Sequence, residues 1–216
     1  MLPRLNNRGS SRPASNAVFV NCPFDPEYKP IFDAVVFAVH RCGFLVRCAM
    51  EDSDSNVVRI EKIMQMIGES DLGIHDLSRV DTQGSLPRFN MPFELGLFIG
   101  AQRYGSKRQR RKRCLILSGE PHQYQRVISD IAGQDVDSHL GKPEEAVRAV
   151  RQFLVQHAPR GARLPGRDRI LEDYGHFQRL LPGLLEVAGQ DRESLTFLEF
   201  RGYVRDVVAR QALIIG

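Results

Sequence analysis

The chain lacks any uncharged apolar run near the roughly 20 residues that a membrane-spanning helix needs. Its first residues, MLPRLNNRGSSRPASN, lack the continuous apolar stretch of a secretory signal and read as a short disordered basic tail over residues 1–16. Cysteine is scarce. Cys22, Cys42, Cys48 and Cys114 stand at unrelated spacings with no C-x-x-C pair. That pattern argues against a zinc site or a disulfide frame and for reduced, mostly buried thiols in a cytoplasmic protein. No P-loop, G-x-S-x-G, H-E-x-x-H or metal-ligand cluster is present, and no G-x-G-x-x-G follows the first predicted strand. These absences exclude the usual phosphate-cradling and metallohydrolase chemistries and make a Rossmann dehydrogenase improbable. A bound metal or resident cofactor is not expected.

Charge of one sign is also missing. The formal net charge is +4, but KRQRRKR (Lys107 to Arg113) contributes +6, so the rest of the chain stands at about −2. A globally basic surface, as nucleic-acid binders carry, is absent. The run falls between a predicted helix and an apolar strand and reads as a solvated loop, with an anion-binding or partner-binding loop as the alternative.

Within 216 residues, 42% apolar and 26% charged, there is room for one large domain or a medium domain with an appendage. AVFVNC, FLVRCA, LGIHD and CLILS read as buried strands. Between them run helical stripes: Phe32, Val35, Val36 and Val39, then Ile60, Ile63, Met64 and Ile67, then the segment from Asn90 with Pro92 in its first turn. YQRVISDIA reads as a short helix, DVDSH as an edge strand, and Glu144 to His157 as a further helix. Alternation of this kind predicts a three-layer α/β domain over residues 17–157, with a mainly parallel sheet. Residues 158–167, APRGARLPGR, form a linker. Residues 168–216 then carry two amphipathic stripes, Ile170, Tyr174, Phe177 and Leu181, and Phe200, Tyr203, Val204, Val207 and Val208. They predict a helical appendage packed on the α/β body or on a second subunit.

Ligands of an open parallel sheet bind beyond the carboxyl ends of its strands. The first strand ends in NCPFD (Asn21, Pro23, Phe24, Asp25), the second in RCAMEDSDS with Arg47 and Glu51, and the third in HDLSR with Asp76 and Ser78. The helix that follows opens with Arg88, Phe89 and Asn90. Between Asn90 and Ala101 the only charge is Glu94. A lone carboxylate in an apolar segment needs a partner or a shifted pKa. Placed in the first turn of its helix it would be held ionised by the helix dipole, and Gly96 and Gly100 would let that helix lie close against the sheet. Such a carboxylate can stabilise or trap an oxocarbenium-like carbon during cleavage of a glycosidic bond. It can also cap nearby backbone N–H groups or pair with Arg88 or Arg47. Asp76 can bind ligand or close an Asx-turn with Ser78. Arg47 requires either a phosphate or Glu51, Arg88 suits a phosphate clamp or solvent, and Phe24 and Phe89 suit base stacking or core packing. His75, alternating with Asp76, points to the opposite sheet face as a core or surface histidine.

The succession VFVNCPFD, ESDLGIHDLSR, MPFELGLFIGAQRYG and CLILS resembles the nucleoside 2-deoxyribosyltransferase family. The same layout is similar to TIR domains, whose NAD-cleaving members carry a glutamate followed by leucine at the matching helix. The resemblance spans Val18 to Ser118. It implies a flavodoxin/TIR-like sheet, Glu94 as catalytic nucleophile or oxocarbenium stabiliser, Asn21, Pro23 and Phe24 as the ligand-lining first loop, and Asp76 as the aspartate ending the third strand. The Asp-x-Gly-Thr run of deoxyribosyltransferases is replaced here by RFNMP, and the tryptophan of TIR enzymes is absent. The base and the sugar therefore stay open.

Three readings follow. The first is an N-glycosidase with NAD as leading substrate, since nicotinamide leaves already charged and needs no general acid. By its TIR-like character it would be a bacterial defence effector assembled as a homo-oligomer through the C-terminal helices. The second is a nucleoside or nucleotide deoxyribosyltransferase or hydrolase. The third is a non-catalytic nucleotide-sensing module. Nucleic-acid binding through Lys107 to Arg113 ranks last.

Overall fold

A computed structural model describes residues 16–51, 56–79, 88–126, 128–131 and 133–215; of the tail over residues 1–16 assigned above as disordered, all but Asn16 lies outside the described residues. Five strands form one parallel sheet in the order β2-β1-β3-β4-β5: β1 Ala17–Asn21, β2 Leu45–Arg47, β3 Leu72–Asp76, β4 Arg113–Ser118 and β5 Val136–Ser138. The helices are α1 Lys29–Arg41, α2 Arg59–Glu69, α3 Asn90–Tyr104, α4 Pro143–His157, α5 Arg167–Ala188 and α6 Phe197–Ile215. β1 and β3 are buried throughout, as central parallel strands are, including the polar Asn21, His75 and Asp76 at their carboxyl ends. Because β2 pairs on one side of β1 and β3 on the other, the strand order reverses beside β1. Ligands of open parallel sheets generally bind beyond the strand ends at such a reversal.

Side chains alternate across the sheet. Val18, Val20, Leu72 and Ile74 join one core with α1 and α4, whereas Phe19 packs with Ile63, Met66 and Ile67 of α2 and Phe98 of α3. The result is a three-layer α/β body. α1 ends in a left-handed turn at Gly43 (φ 81°), where the amides of Gly43 and Phe44 return to the carbonyls of His40 and Val39.

The C-terminal helices form a further layer on the α1 side. Their stripe residues Ile170, Tyr174, Phe177, Leu181, Phe200, Val204 and Val207 belong to the same buried core as α1 and α4. The stripes are thus covered within the chain itself. The linker is docked as well, with Arg151 Nε donating to the carbonyl of Pro165 at 2.6 Å.

Three expectations are corrected. In place of the helix expected over YQRVISDIA, its described residues form two short 3₁₀ turns, Gln123–Arg126 and Ser129–Ile131. His122 just before them has φ 62°, so the chain turns sharply as it leaves β4 and enters them. Gly96 and Gly100 meet no atom within 4 Å of a Cβ position; close packing of α3 depends on Gly73, where a Cβ would lie 2.9 Å from the Phe98 ring and from His75 Nε2. The basic run is no mere solvated loop, because part of it finishes α2. Lys112 is fully buried and donates to the carbonyls of Ile67 and Ser70, Gln109 to that of Gly68 at 2.8 Å, and Arg108 to that of Glu69 at 3.1 Å. Carbonyls left over at a helix C-terminus attract cationic donors; three of these four have one, and the fourth, that of Gly68, accepts from the neutral Gln109 amide.

Candidate functional site

At the strand reversal the sheet divides the predicted residues. Asn21, facing α3, donates to the carbonyl of Met91 at 2.9 Å and approaches His75 Nδ1 at 3.2 Å. An amide nitrogen can only donate, so His75 Nδ1 accepts and its proton sits on Nε2. His75 is fully buried against Phe19 and Phe98, and burial with the charge of Lys112 lowers its pKa to about 3. It is a neutral core histidine.

Asp76 faces the other way. Its Oδ2 accepts from Tyr28 Oη at 2.7 Å and from His139 Nε2 at 3.1 Å; its Oδ1 accepts from the Ser78 amide at 2.8 Å and from the Ser78 hydroxyl. Burial alone would raise this carboxyl, but His139, Ser78 and Tyr28 together hold it below the usual aspartate range. Four donors leave no lone pair for a ligand at a side chain with no exposure, so the Asx-turn with Ser78 is what the geometry supports.

Ser78, His139 and Asp76 superficially form a hydrolase triad, with Ser78 Oγ 2.9 Å from His139 Nε2. The tautomer excludes it. The Gly141 amide donates to His139 Nδ1 at 3.0 Å, so Nδ1 is unprotonated and Nε2 carries the proton that Asp76 receives. A general base would need Nε2 free.

Glu94 is buried like Asp76 but differs from it in its partners. It is 5% exposed, and among the described residues it makes no hydrogen bond or ion pair. It is the fifth residue of α3, in the second turn and not the first, so the dipole that was expected to keep it ionised has faded there. Burial lifts its pKa to about 7, against a partial downward pull from the exposed Arg59 at the start of α2. Capping and pairing with Arg88 or Arg47 are not observed among the described residues. Cys22 feels both carboxylates: burial raises its thiol pKa well above the ordinary range, and the negative fields of Asp76 and Glu94 add to it.

The remaining predicted residues spread around this centre. Arg47 is consumed by Glu51 (2.6 Å) and Glu69 (3.0 Å), and Glu51 is also held by Arg201 of α6 at 2.7 Å, which further donates to the carbonyl of Val46. A phosphate role for Arg47 would require breaking both pairs. Asp25 accepts from the Tyr28 amide and from Arg79. Arg88, Phe89 and Asn90 are exposed at the head of α3, and Phe89, 68% exposed, is available for stacking and is not core. Pro23 and Phe24 line a cavity of about 530 Å³ on the α1 side, where Phe24 meets Phe32 edge-on. Glu94 lines neither this cavity nor the one of about 500 Å³ beside β5. Tyr28, His139 and Arg79 were not anticipated. Their partners lie dozens of residues away, and no local pattern announces them.

All four cysteines are free, and among the described residues no three His, Cys, Asp or Glu side chains are grouped to hold a metal ion. No helix of the described residues is long and apolar enough to cross a membrane. Comparison with protein-family models, with curated proteins and with solved structures finds no match to this chain.

Proposed function

We propose that the chain is a nucleotide N-glycosidase that presents Glu94 to the anomeric carbon of a ribosyl group, with NAD as leading substrate and nicotinamide as leaving group. The observation that carries this is the contrast at the reversal: one buried carboxylate has every lone pair occupied, while the other has no partner and a pKa raised to about 7. A desolvated carboxylate without a cation gains most when positive charge develops beside it. Its interaction with an oxocarbenium ion is therefore stronger in the transition state than with a neutral sugar. Glu94 is 5% exposed, a largely desolvated setting that fits a site excluding most water during the reaction. The resemblance to TIR-like enzymes agrees with this assignment, and with it goes a cytoplasmic defence role in a homo-oligomer. Since the apolar stripes of α5 and α6 are covered in cis, a second copy would meet their outer face, where Leu180, Val187 and Leu198 are exposed.

The same pKa favours a second reading. A carboxyl group near 7 is partly protonated at neutral pH and can donate to a neutral base as it leaves, as a deoxyribosyltransferase or nucleoside hydrolase requires.

The test is incubation of the full chain, its assembly state established by light scattering, with NAD and with a panel of nucleosides and nucleoside monophosphates, following released base by chromatography. Nicotinamide release that vanishes in Glu94→Gln supports the first reading. Release only from nucleosides supports the second. Binding without turnover in wild type and variant alike leaves a sensing module.

A further inference from the structure

The 530 Å³ cavity on the α1 side has its own chemistry, independent of Glu94. One wall is the first loop and α1, with Phe24, Phe32 and Lys29; the other is the α5–α6 connection and α6, with Arg192, Phe197 and Phe200. Its aromatic residues pack in the core on the α1 face, whereas Glu94 sits on α3, beyond the sheet. The cavity is therefore a separate site. Its volume is within the usual range for small-molecule pockets, roughly 300–1,000 Å³.

Two cations share one carboxylate at its side. Lys29 Nζ bonds Asp33 at 3.3 Å and Arg192 bonds the same carboxyl group, so one positive charge is left over. Both also lie over the ring of Phe200, with Arg192 Cζ at 4.4 Å and Lys29 Nζ at 5.4 Å from its centroid. Burial lowers the Lys29 pKa, and the charge of Arg192 lowers it further against the pull of Asp33. An anion between the two would relieve that repulsion. Of the acidic residues lining the cavity, Asp25 is already engaged by Arg79 and Glu193 is solvent-exposed.

We infer that this cavity binds an aromatic ring carrying an anionic group, of mononucleotide size, with the ring on the phenylalanine wall and the anion at Lys29 and Arg192. Such a ligand bridges the first loop to the C-terminal helices and tightens the layer that α5 and α6 form on the body.

Titration calorimetry of the full chain tests this, using the four ribonucleoside 5′-monophosphates and phenyl phosphate, with adenosine and inorganic phosphate as single-feature controls. At least one ring-bearing phosphate binds with one-to-one stoichiometry and more tightly than either control. Arg192→Gln and Lys29→Gln, shown by circular dichroism to be folded, each weaken it about tenfold, the scale of one lost charge-assisted hydrogen bond. Glu94→Gln leaves it unchanged. The inference is overturned if no ring-bearing phosphate binds, if both cation variants bind like wild type, or if Glu94→Gln abolishes binding, which would move the ligand to the other side of the sheet. Loss of glycosidase activity alone bears on Glu94 and not on this cavity.

Discussion

Asn21 holds the carbonyl of Met91 at 2.9 Å, so the last residue of β1 is tied to the first turn of α3 three residues before Glu94. The amide also engages His75 Nδ1, and both acceptors are buried. Asn21→Ala strands them and should cost about 1–3 kcal/mol, the desolvation penalty of unpaired polar groups. Urea denaturation measures it, and a loss below a few tenths would mean that this tie does not secure the helix.

Glu94 has a pKa raised from 4.5 in the unfolded chain to about 7 in the folded one. Between those values the folded state binds more protons, so this group's contribution is fully present below about pH 4.5 and is lost as pH climbs through 7. Glu94→Gln should therefore gain on wild type between pH 5 and pH 8, by at most roughly 3 kcal/mol. Parallel stability curves for the two proteins across that window would refute the unpaired carboxylate. If Glu94 acts ionised, cleavage rates rise through pH 7; if it acts as an acid, they fall.

Ser78 should not react with organophosphorus probes for active serines, because His139 Nε2 bears a proton directed at Asp76. Mass spectrometry after exposure reads this directly, and a phosphonylated Ser78 would mean that the other tautomer is populated. Nitrogen NMR should find a proton on His139 Nε2 and Nδ1 acting as acceptor.

Lys112 closes the end of α2 from a fully buried position. Lys112→Met keeps much of the apolar stem but abandons two carbonyls, and should cost about 1–3 kcal/mol. Because the group is away from solvent, the loss should hardly change between low and high salt. A strongly salt-dependent loss would place the ammonium outside.

Removing residues 167–216 uncovers the side of α1 and α4 on which Phe177, Phe200 and Val204 pack. The truncated chain should aggregate or bind apolar dyes, and the milder Phe177→Ala should cost about 3–5 kcal/mol. A soluble, cooperatively folding fragment 17–166 would show that the C-terminal helices are an optional addition.

The layers were readable from the sequence because periodicity is local: LGIHD is buried end to end and the Ile170 stripe packs where its spacing directs. The alternation of His75 and Asp76 was readable for the same reason. Glu94 stood out as a lone charge, yet its turn and protonation depend on where α3 starts, a boundary that a sequence marks poorly. The basic run misled because composition cannot tell a lysine facing water from one facing the end of a helix 42 residues earlier. Asp76 acquires its meaning only when Tyr28 and His139, 48 and 63 positions away, arrive beside it.

The Arg201 guanidinium on the Val46 carbonyl has a consequence for self-association. β2 borders the sheet, and a bare border invites another chain to add a strand. Here the border is three residues long, one of its acceptors is taken, and the Arg47–Glu51–Arg201 lattice stands over it. A strand from another chain would have to displace that network before it could pair along β2.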